Sequence, residues 1–374
     1  MNQIKVLAIF GTRPETIKMA PIIRELNRRP SFALKVIVTG QHKEMVQHYL
    51  DLFSIVPDHD LSIMEKEQTL NTIVINILKR LPAFLNEIQP DVVLVQGDTT
   101  SAFAAALAAY HNRIKIGHVE AGLRTRDKYN PFPEEINRHL IGGLADFHFA
   151  PTQKARENLI AEGISDKQIY VTGNTIIDAL KMIVGKKHRF NDGILSKIDF
   201  EAMRVIIVTT HRRESFGKPL LNTLNALKRI TELFRNTEIV IPVHYNPNVR
   251  KSVYGLLRNV ERIHLVEPLD YVAFIHLLNK SYLILTDSGG VQEEAPSLGK
   301  PVLVLRETTE RPEGIKAGVA KMVGTDTERI VAAVRELMED LESYRKMAQV
   351  ANPYGNGKAA ARIADVLQSK GKSM

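Results

Sequence analysis

Short runs of aliphatic and β-branched residues recur along the chain, and each run ends in polar residues that lead into a segment with helical patterning. These runs are Val6–Phe10, Val92–Val95, Ile114–Ile116, Val205–Val208 and Leu283–Leu285. Because all but the third run, which has Lys115 at its centre, are continuously apolar rather than alternating, they predict strands buried on both faces, as in a parallel sheet covered by helices. The polar clusters then fall at the carboxyl ends of the strands, where sheets of this kind bind ligands.

The second half of the chain repeats the pattern of the first half. Residues 11–15 (GTRPE) and 210–214 (THRRE) each place a threonine, a basic residue and a glutamate directly after a strand. The polar segment from Lys181 to Glu201 lies between the two halves. We therefore predict an α/β protein with two doubly wound, Rossmann-like domains, residues 1–172 and 173–355, that face each other across a cleft.

Composition narrows the class of partner. The 374 residues include 50 Lys and Arg against 42 Asp and Glu, which gives a formal net charge of +8 and favours an anionic partner. Lys and Arg form no run of four, and 6% of residues are aromatic with no Trp, so we expect no nucleic acid partner. The run Val6–Phe10 is too short for a signal peptide or a membrane span, which predicts a cytoplasmic protein with no membrane partner.

The chain offers little that would bind a metal or a dinucleotide cofactor. It has no Cys, which excludes disulfides, thiolate metal sites and a Cys nucleophile, and its 12 His form no H-E-x-x-H pair. Residues 355–360 (GNGKAA) match the dinucleotide fingerprint, but a helical pattern rather than a strand precedes them. We interpret them as the start of the last helix, and we expect neither a metal nor another cofactor.

The first predicted helix start suits an anion. Residues 12–15 have the spacing of a capping box, so Arg13 projects from a helix N-terminus whose N–H groups favour negative charge. Lys18 adds a second positive charge to that end, and Pro21 predicts a kink or a restart of the helix. An ordinary capped helix would show the same pattern.

A second candidate lies in the other half of the chain. Ser288, Gly289 and Gly290 follow a strand and open a short helix, where backbone N–H groups can approach a phosphate without side-chain obstruction. Glu293 and Glu294 come about one turn later, and a carboxylate there could accept hydrogen bonds from a ribose. Glycine-rich turns also serve purely structural purposes, so the motif favours a nucleotide without establishing one.

Three carboxylates are candidates for acid/base chemistry. Asp98 and Glu120 end neighbouring strands, and Glu134 begins a helix. Carboxylates at helix starts are usually partners of the helix dipole, an interpretation that suits Glu134 and Glu135 better than the other two. If the three converge, they would supply both a base and an acid. His211, at the end of the first strand of the second domain, is the best functional histidine.

Six motifs in a fixed order give the chain a family resemblance. They are residues 11–15 (GTRPE), 97–100 (GDTT), 118–124 (HVEAGLR), 133–135 (PEE), 211–214 (HRRE) and 287–294 (DSGGVQEE). With them, the chain resembles the non-hydrolysing bacterial UDP-N-acetylglucosamine 2-epimerases essentially from end to end. The resemblance implies the two-domain GT-B fold, a C-terminal helix (residues 356–374) that rejoins the first domain, and a homodimer.

The same resemblance implies a reaction and its residues. UDP-N-acetylglucosamine would lose UDP to give 2-acetamidoglucal, and UDP would add back to give UDP-N-acetylmannosamine, a precursor of surface polysaccharides. No cofactor is needed, and which carboxylate removes the C2 proton stays open. The catalytic group would be Asp98, Glu120, Glu134 and His211, and the residues holding substrate or UDP would be Arg13, Lys18, His211, Phe274, Ser288, Gly289, Gly290 and Glu294.

Well-studied members of the family bind a second UDP-N-acetylglucosamine as an activator. The positions of this chain that match the activator site are Gln41, His42, Gln68 and His244. Some members carry an arginine next to the position of Gln68, where this chain has Glu67. A carboxylate repels a diphosphate, so we expect activation to persist but to need more ligand.

Three other functions stay open at this point. A retaining glycosyltransferase of the same fold would also bind a nucleotide sugar, but it would need an acceptor. A hydrolysing epimerase would release free N-acetylmannosamine and UDP irreversibly. A non-catalytic nucleotide-sugar sensor is disfavoured, because Asp98, Glu120 and Glu134 are all present.

Overall fold

A computed structural model describes residues 3–40, 43–65, 68–212 and 215–371 of the chain. The chain divides into two compact units, Met1–Ala179 with Tyr354–Met374, and Leu180–Pro353. Within the described ranges, none of the helices is long and apolar enough to span a membrane.

Each unit is built on one parallel sheet. The strands of the first unit are β1 (Ile4–Phe10), β2 (Phe32–Val38), β3 (His59–Asp60), β4 (Val92–Gln96), β5 (Lys115–Val119), β6 (Phe147–Ala150) and β7 (Ile169–Val171). Those of the second unit are β8 (Arg204–Thr209), β9 (Thr237–Pro242), β10 (Ile263–Val266), β11 (Leu283–Thr286), β12 (Val302–Val304) and β13 (Ala320–Met322). The orders are β3-β2-β1-β4-β5-β6-β7 and β10-β9-β8-β11-β12-β13. In each sheet the fourth strand of the unit (β4 or β11) lies beside the first (β1 or β8), on the side opposite the second, which confirms the prediction of two doubly wound domains.

Helices connect the strands and cover both faces of each sheet. They are α1 (Arg13–Asn27), α2 (Lys43–Phe53), α3 (Leu70–Ile88), α4 (Thr100–His111), α5 (Glu134–Leu144), α6 (Gln153–Ala161), α7 (Thr175–Val184), α8 (Lys218–Leu233), α9 (Pro247–Leu257), α10 (Tyr271–Lys280), α11 (Gly289–Glu294), α12 (Pro312–Ala317), α13 (Thr327–Glu339), α14 (Leu341–Ala348) and α15 (Ala359–Gly371). Pro21 lies inside α1, which runs through it without a break, so the expected restart at that residue is wrong.

Alternation along β1 shows how its sheet is buried on both faces. Val6, Ala8 and Phe10 belong to a core that also contains residues of α1, α2 and α15, whereas Leu7 and Ile9 belong to a second core with residues of α3 and α4. A strand with apolar neighbours above and below has no face for polar residues, which explains its continuous apolar run.

The glycine-rich segment near the C-terminus begins a helix, as the sequence suggested. Gly355 and Gly357 have φ values of 139° and 73°, and α15 starts two residues later. The Asp178 carboxylate accepts hydrogen bonds from the backbone N–H groups of Ala359 (3.2 Å) and Ala360 (3.0 Å). These bonds satisfy donors that a helix N-terminus otherwise leaves unpaired, and they fasten α15 to the first unit.

Candidate functional site

In the first unit, Glu120 follows β5 in a strained conformation. Its φ of 66° lies in the left-handed region, which residues other than glycine rarely adopt and which is enriched at functional sites. Its Oε2 forms an ion pair with Nζ of Lys18 from α1, and the two side chains are 9% and 15% exposed. A proposed acid/base residue and a proposed diphosphate ligand therefore meet in one largely buried pair.

Asp98 follows β4, the strand next to β5, and is held by α5. Nε of Arg138 donates to its Oδ2 (2.8 Å), and the Asn137 side-chain amide donates to its backbone carbonyl (2.9 Å). The guanidinium also donates to Oε2 of Glu135 (2.9 Å). Arg138 is thus fixed between two carboxylates, which sets the rotamer of Asp98.

Glu135 is a structural anchor rather than an exposed partner of the helix dipole. It is 1% exposed, and it accepts hydrogen bonds from the backbone N–H groups of Thr125 (3.1 Å) and Arg126 (2.9 Å). Burial alone would raise the pKa of Glu135, but these N–H groups and the Arg138 guanidinium together hold it below its ordinary value. Sequence reasoning missed Glu135 and Arg138, although their spacing of three on a helix was a usable signal.

Glu134 begins α5, one turn before Arg138. Its Oε2 is buried and accepts no hydrogen bond from the described residues. A buried carboxylate oxygen without a donor is unfavourable, so this atom is well suited to receive a ligand or a proton. Asp98, Glu120 and Glu134 all belong to the first unit, where the first two follow β4 and β5 and the third begins α5.

His118 of β5 contacts the loop that carries Asp98. Its Nε2 lies 2.7 Å from the Gly97 carbonyl oxygen, and its ring is 1% exposed. Burial lowers the pKa of His118 to about 3 despite that hydrogen bond. His148, the register partner of His118 on β6, is fully buried, and burial lowers its pKa to about 4. Both rings are therefore neutral at physiological pH, with no charge to place beside the carboxylates.

The start of α1 has the arrangement expected of a capping box on the glutamate side. Glu15 Oε2 accepts from the backbone N–H groups of Gly11 (2.9 Å) and Thr12 (2.7 Å). Arg13 is exposed, and within the described ranges its side chain has no ion pair or hydrogen bond. An unpaired guanidinium at a helix N-terminus is available to an anion.

In the second unit, Asp287 organises the end of β8. It is fully buried, its Oδ1 lies 2.9 Å from Nδ1 of His211, and its Oδ2 accepts from the backbone N–H groups of His211 (2.8 Å) and Arg212 (2.9 Å). Burial alone would raise the pKa of Asp287, but His211 and the N–H groups lower it. The carboxylate fixes the ring through Nδ1 and leaves Nε2 for a ligand, as in other carboxylate–histidine pairs.

Asp287 lies in the last of the six sequence motifs, but the sequence did not identify it as a site residue. The signal was the strand order, because β8 and β11 are neighbours in the doubly wound arrangement and their carboxyl ends therefore meet. Arg212 continues the same turn, and a Cβ atom added to Gly289 would lie 3.9 Å from its Nη2 and 3.7 Å from the guanidinium carbon of Arg311. Two guanidinium groups therefore flank the backbone at Gly289.

The two adjacent carboxylates of α11 have different partners. Glu294 accepts a hydrogen bond from the Tyr271 hydroxyl (2.6 Å), whereas Glu293 accepts from Nε of Arg311. Tyr271 begins α10, which also carries Phe274. The Ser288 N–H donates to the Thr286 hydroxyl (2.9 Å), which shapes the turn before Gly289 and Gly290.

The residues matched to a second ligand are only partly described. Gln41, His42 and Glu67 lie outside the described residues, as do Arg213 and Glu214 of the second-unit motif. The Gln68 side chain donates to the Ile63 carbonyl (3.1 Å). His244 Nδ1 accepts from the Asn246 N–H (3.1 Å), and its ring stacks on His211 at 5.8 Å between centroids.

The chain is similar to known proteins over nearly its whole length. A sequence model described as UDP-N-acetylglucosamine 2-epimerase matches residues 24–368. The UDP-N-acetylglucosamine 2-epimerase of Salmonella typhimurium is 51% identical over 378 residues, which cover 98% of this chain and 99% of that protein.

Two solved structures are similar over nearly their whole length. UDP-GlcNAc 2-epimerase from Neisseria meningitidis bound to UDP-GlcNAc matches with a TM-score of 0.85 and 46% identity, covering 98% of this chain and 100% of that one. The Methanocaldococcus jannaschii UDP-GlcNAc 2-epimerase in complex with UDP-GlcNAc and UDP matches with a TM-score of 0.74 and 35% identity, with the same coverage.

Proposed function

Because the chain belongs to the UDP-N-acetylglucosamine 2-epimerase family, we propose that it interconverts UDP-N-acetylglucosamine and UDP-N-acetylmannosamine reversibly and without hydrolysis. The observation that carries this proposal is the ion pair between Glu120 and Lys18. The pair brings together a carboxylate, which can accept a proton, and a cation, which can bind the diphosphate as it leaves. Elimination requires both at once.

The chemistry follows from the substrate. The C2 hydrogen of the sugar is not adjacent to a carbonyl, so its removal as a simple acid is not feasible. When a base takes that proton, the C–H electron pair forms the C1–C2 double bond, and the C1–O pair leaves with UDP. The products are 2-acetamidoglucal and UDP, and addition of UDP with a proton on the other face of C2 gives the epimer. Protonation from two faces needs two groups, and Asp98, Glu120 and Glu134 supply candidates for both.

The leaving group carries the negative charge that develops, so its stabilisation determines the barrier. We assign this task to Arg13 and Lys18 from the first unit and to His211 from the second, where Asp287 holds the ring of His211 in place. The backbone N–H groups after Ser288 have no side chain in front of them at Gly289 and Gly290, which suits a phosphate.

The nucleoside is assigned to α10 and α11. Glu294 would accept the ribose hydroxyls, and the Tyr271 hydroxyl fixes its Oε1 in the required orientation. Phe274 lies one turn further along α10 and would contact the uracil ring. No step in this scheme requires a metal or a redox cofactor.

Proton NMR in deuterated water tests the proposal. With UDP-N-acetylglucosamine alone, both epimers should appear and carry deuterium at C2, with traces of UDP and 2-acetamidoglucal. Release of free N-acetylmannosamine as the main product would instead identify a hydrolysing enzyme, and no reaction without an added acceptor would favour a glycosyltransferase. Conversion without deuterium would contradict a base that exchanges with solvent.

We also propose that the protein acts in the cytoplasm as a homodimer in the supply of surface polysaccharide precursors. Exposed apolar side chains on α3 and α5 support the dimer, since Ile75 is 59%, Ile136 40% and Leu140 44% exposed. Light scattering should give twice the mass of one chain for the unaltered protein. A monomeric mass at micromolar concentration would contradict the dimer.

A second molecule of UDP-N-acetylglucosamine is proposed to activate the reverse reaction through Gln41, His42, Gln68 and His244. Because Glu67 carries a negative charge next to Gln68, activation should need more ligand than it does after Glu67→Arg. The reverse rate, measured with and without added UDP-N-acetylglucosamine for both proteins, tests this. Equal activation of the two proteins would remove residue 67 from the scheme.

A further inference from the structure

Three side chains hold the loop 97–99, which carries Asp98, with one bond to each of its residues. His118 bonds the carbonyl of the first residue (2.7 Å), and Asn137 bonds the carbonyl of the second (2.9 Å). The third residue, Thr99, donates its hydroxyl to Oε1 of Glu15 at 2.6 Å. The position of Asp98 therefore depends on contacts from three separate elements.

The bond to Glu15 differs from the other two because the Glu15 carboxylate also contacts the backbone at the start of α1. The second carboxylate oxygen, Oε2, receives the backbone N–H groups of Gly11 (2.9 Å) and Thr12 (2.7 Å) at the start of α1. That helix also carries Arg13 and Lys18. A single carboxylate thus bridges the loop of a proposed acid/base residue and the helix end of two proposed diphosphate ligands.

The bridge uses both oxygens of the Glu15 carboxylate. Glu15 is 1% exposed, and all three of its partners donate to it, so the carboxylate accepts on both of its oxygens. Burial raises the pKa of Glu15, while hydrogen bonds from Thr99, Gly11 and Thr12 act in the opposite direction. An amide in its place could still accept from the two N–H groups through its oxygen, but its NH2 group would face the Thr99 hydroxyl, which would then have to accept rather than donate.

We infer that Glu15 is a positioning residue that sets the distance between the Asp98 loop and the cationic start of α1. The inference rests on the proposed function, because it takes proton transfer at C2 and departure of UDP to be one event. Both groups must then be in place together, and a displacement of about 1 Å can cost up to ~10²-fold in rate. Glu15 itself is given no contact with the substrate.

The test removes the Thr99 hydroxyl, which joins the Asp98 loop to Glu15. Thr99→Val deletes the bond to Glu15, but it also removes the N-cap of α4, since Thr99 Oγ1 accepts from the Ala102 N–H (3.0 Å). Thr152→Val is the matched control, because Thr152 caps α6 through the Ala155 N–H (3.1 Å) in the same way. Thr99→Ser retains the hydroxyl and is the conservative variant.

We expect Thr99→Val to lower kcat by about tenfold or more, while its Kd for UDP, measured by calorimetry, changes by less than about threefold. Thr152→Val and Thr99→Ser should keep kcat within about twofold of the unaltered protein. Equal kcat in the Thr99→Val and Thr152→Val variants would overturn the inference. So would a Thr99→Ser variant as slow as Thr99→Val.

A double-mutant cycle with Glu15→Ala, which removes both carboxylate oxygens, shows whether Thr99 acts through Glu15. If it does, Thr99→Val should lower kcat little further once Glu15→Ala is present, and the losses in Tm should also be less than additive. Full additivity in both quantities would refute the bridge. The measurement of Tm needs no activity, so it tests the bond between Thr99 and Glu15 even if the unaltered protein fails to convert the substrate. Such a failure would refute the proposed function alone.

Discussion

Replacing His118 by glutamine should make the protein more resistant to acid. The neutral ring is buried under the Asp98 loop, where Nε2 contacts the Gly97 carbonyl. A glutamine side-chain amide can donate to the same carbonyl but does not titrate. His118→Gln therefore keeps the hydrogen bond and removes only the buried base.

The magnitude follows from the pKa of His118, which burial lowers to about 3 from 6.5. In the unfolded chain the imidazole takes up a proton below about pH 6.5, whereas in the folded chain it stays neutral until about pH 3. The stability contributed by the neutral form is therefore complete above pH 6.5 and is lost as the pH falls toward 3. At about pH 5 the loss is ~2 kcal/mol, because protonation stabilises the unfolded state by that amount.

Urea unfolding followed by circular dichroism at about pH 7 and pH 5 measures this effect. Between these two pH values, the unaltered protein should lose ~2 kcal/mol more unfolding free energy than His118→Gln. Other groups, including His148, titrate in both proteins and cancel in the comparison. His111→Gln, which changes an exposed histidine at the end of α4, is the control and should behave as the unaltered protein does. If His118→Gln and the unaltered protein lose the same free energy, the ring is not buried and neutral as described.

Three further predictions concern the proposed reaction. Asp98→Asn and Glu120→Gln should each lower kcat by about 10²-fold or more, the usual scale for a lost acid or base, with a much smaller change in KM. Near-normal turnover of either variant would remove that carboxylate from the catalytic group. Arg13→Ala should weaken UDP binding by about tenfold in calorimetry, since a charge-assisted contact is lost. Lys18→Ala should instead lower kcat more than UDP affinity, because the Lys18 ammonium pairs with Glu120. Asp287→Asn should lower kcat by about tenfold or more, since it loses a charged hydrogen bond worth ~1.5–3 kcal/mol that orients a histidine; unchanged kcat would show that the pairing is not needed.

The sequence by itself was sufficient for the architecture and for the family. Continuous apolar runs such as Val92–Val95 predict strands buried on both faces, and β4 lies there. The polar motifs follow those strands because a parallel sheet exposes only its strand ends to a ligand. Local patterns also predicted the capped start of α1 and the glycine-rich start of the last helix. Each of these features depends on residues close together in the chain.

Only the tertiary structure decided which side chains share a bond. Lys18 meets Glu120, Thr99 meets Glu15, and Asp287 meets His211, in each case across more than seventy residues. Such pairs depend on the order of strands in the sheet and on the rotamers that packing allows, and neither is encoded in a local pattern. Glu135 shows the same limit at short range, since its place at a helix start indicated a solvated carboxylate. Burial against the loop at Thr125 made it an anchor instead, because a carboxylate removed from water must find donors within the protein.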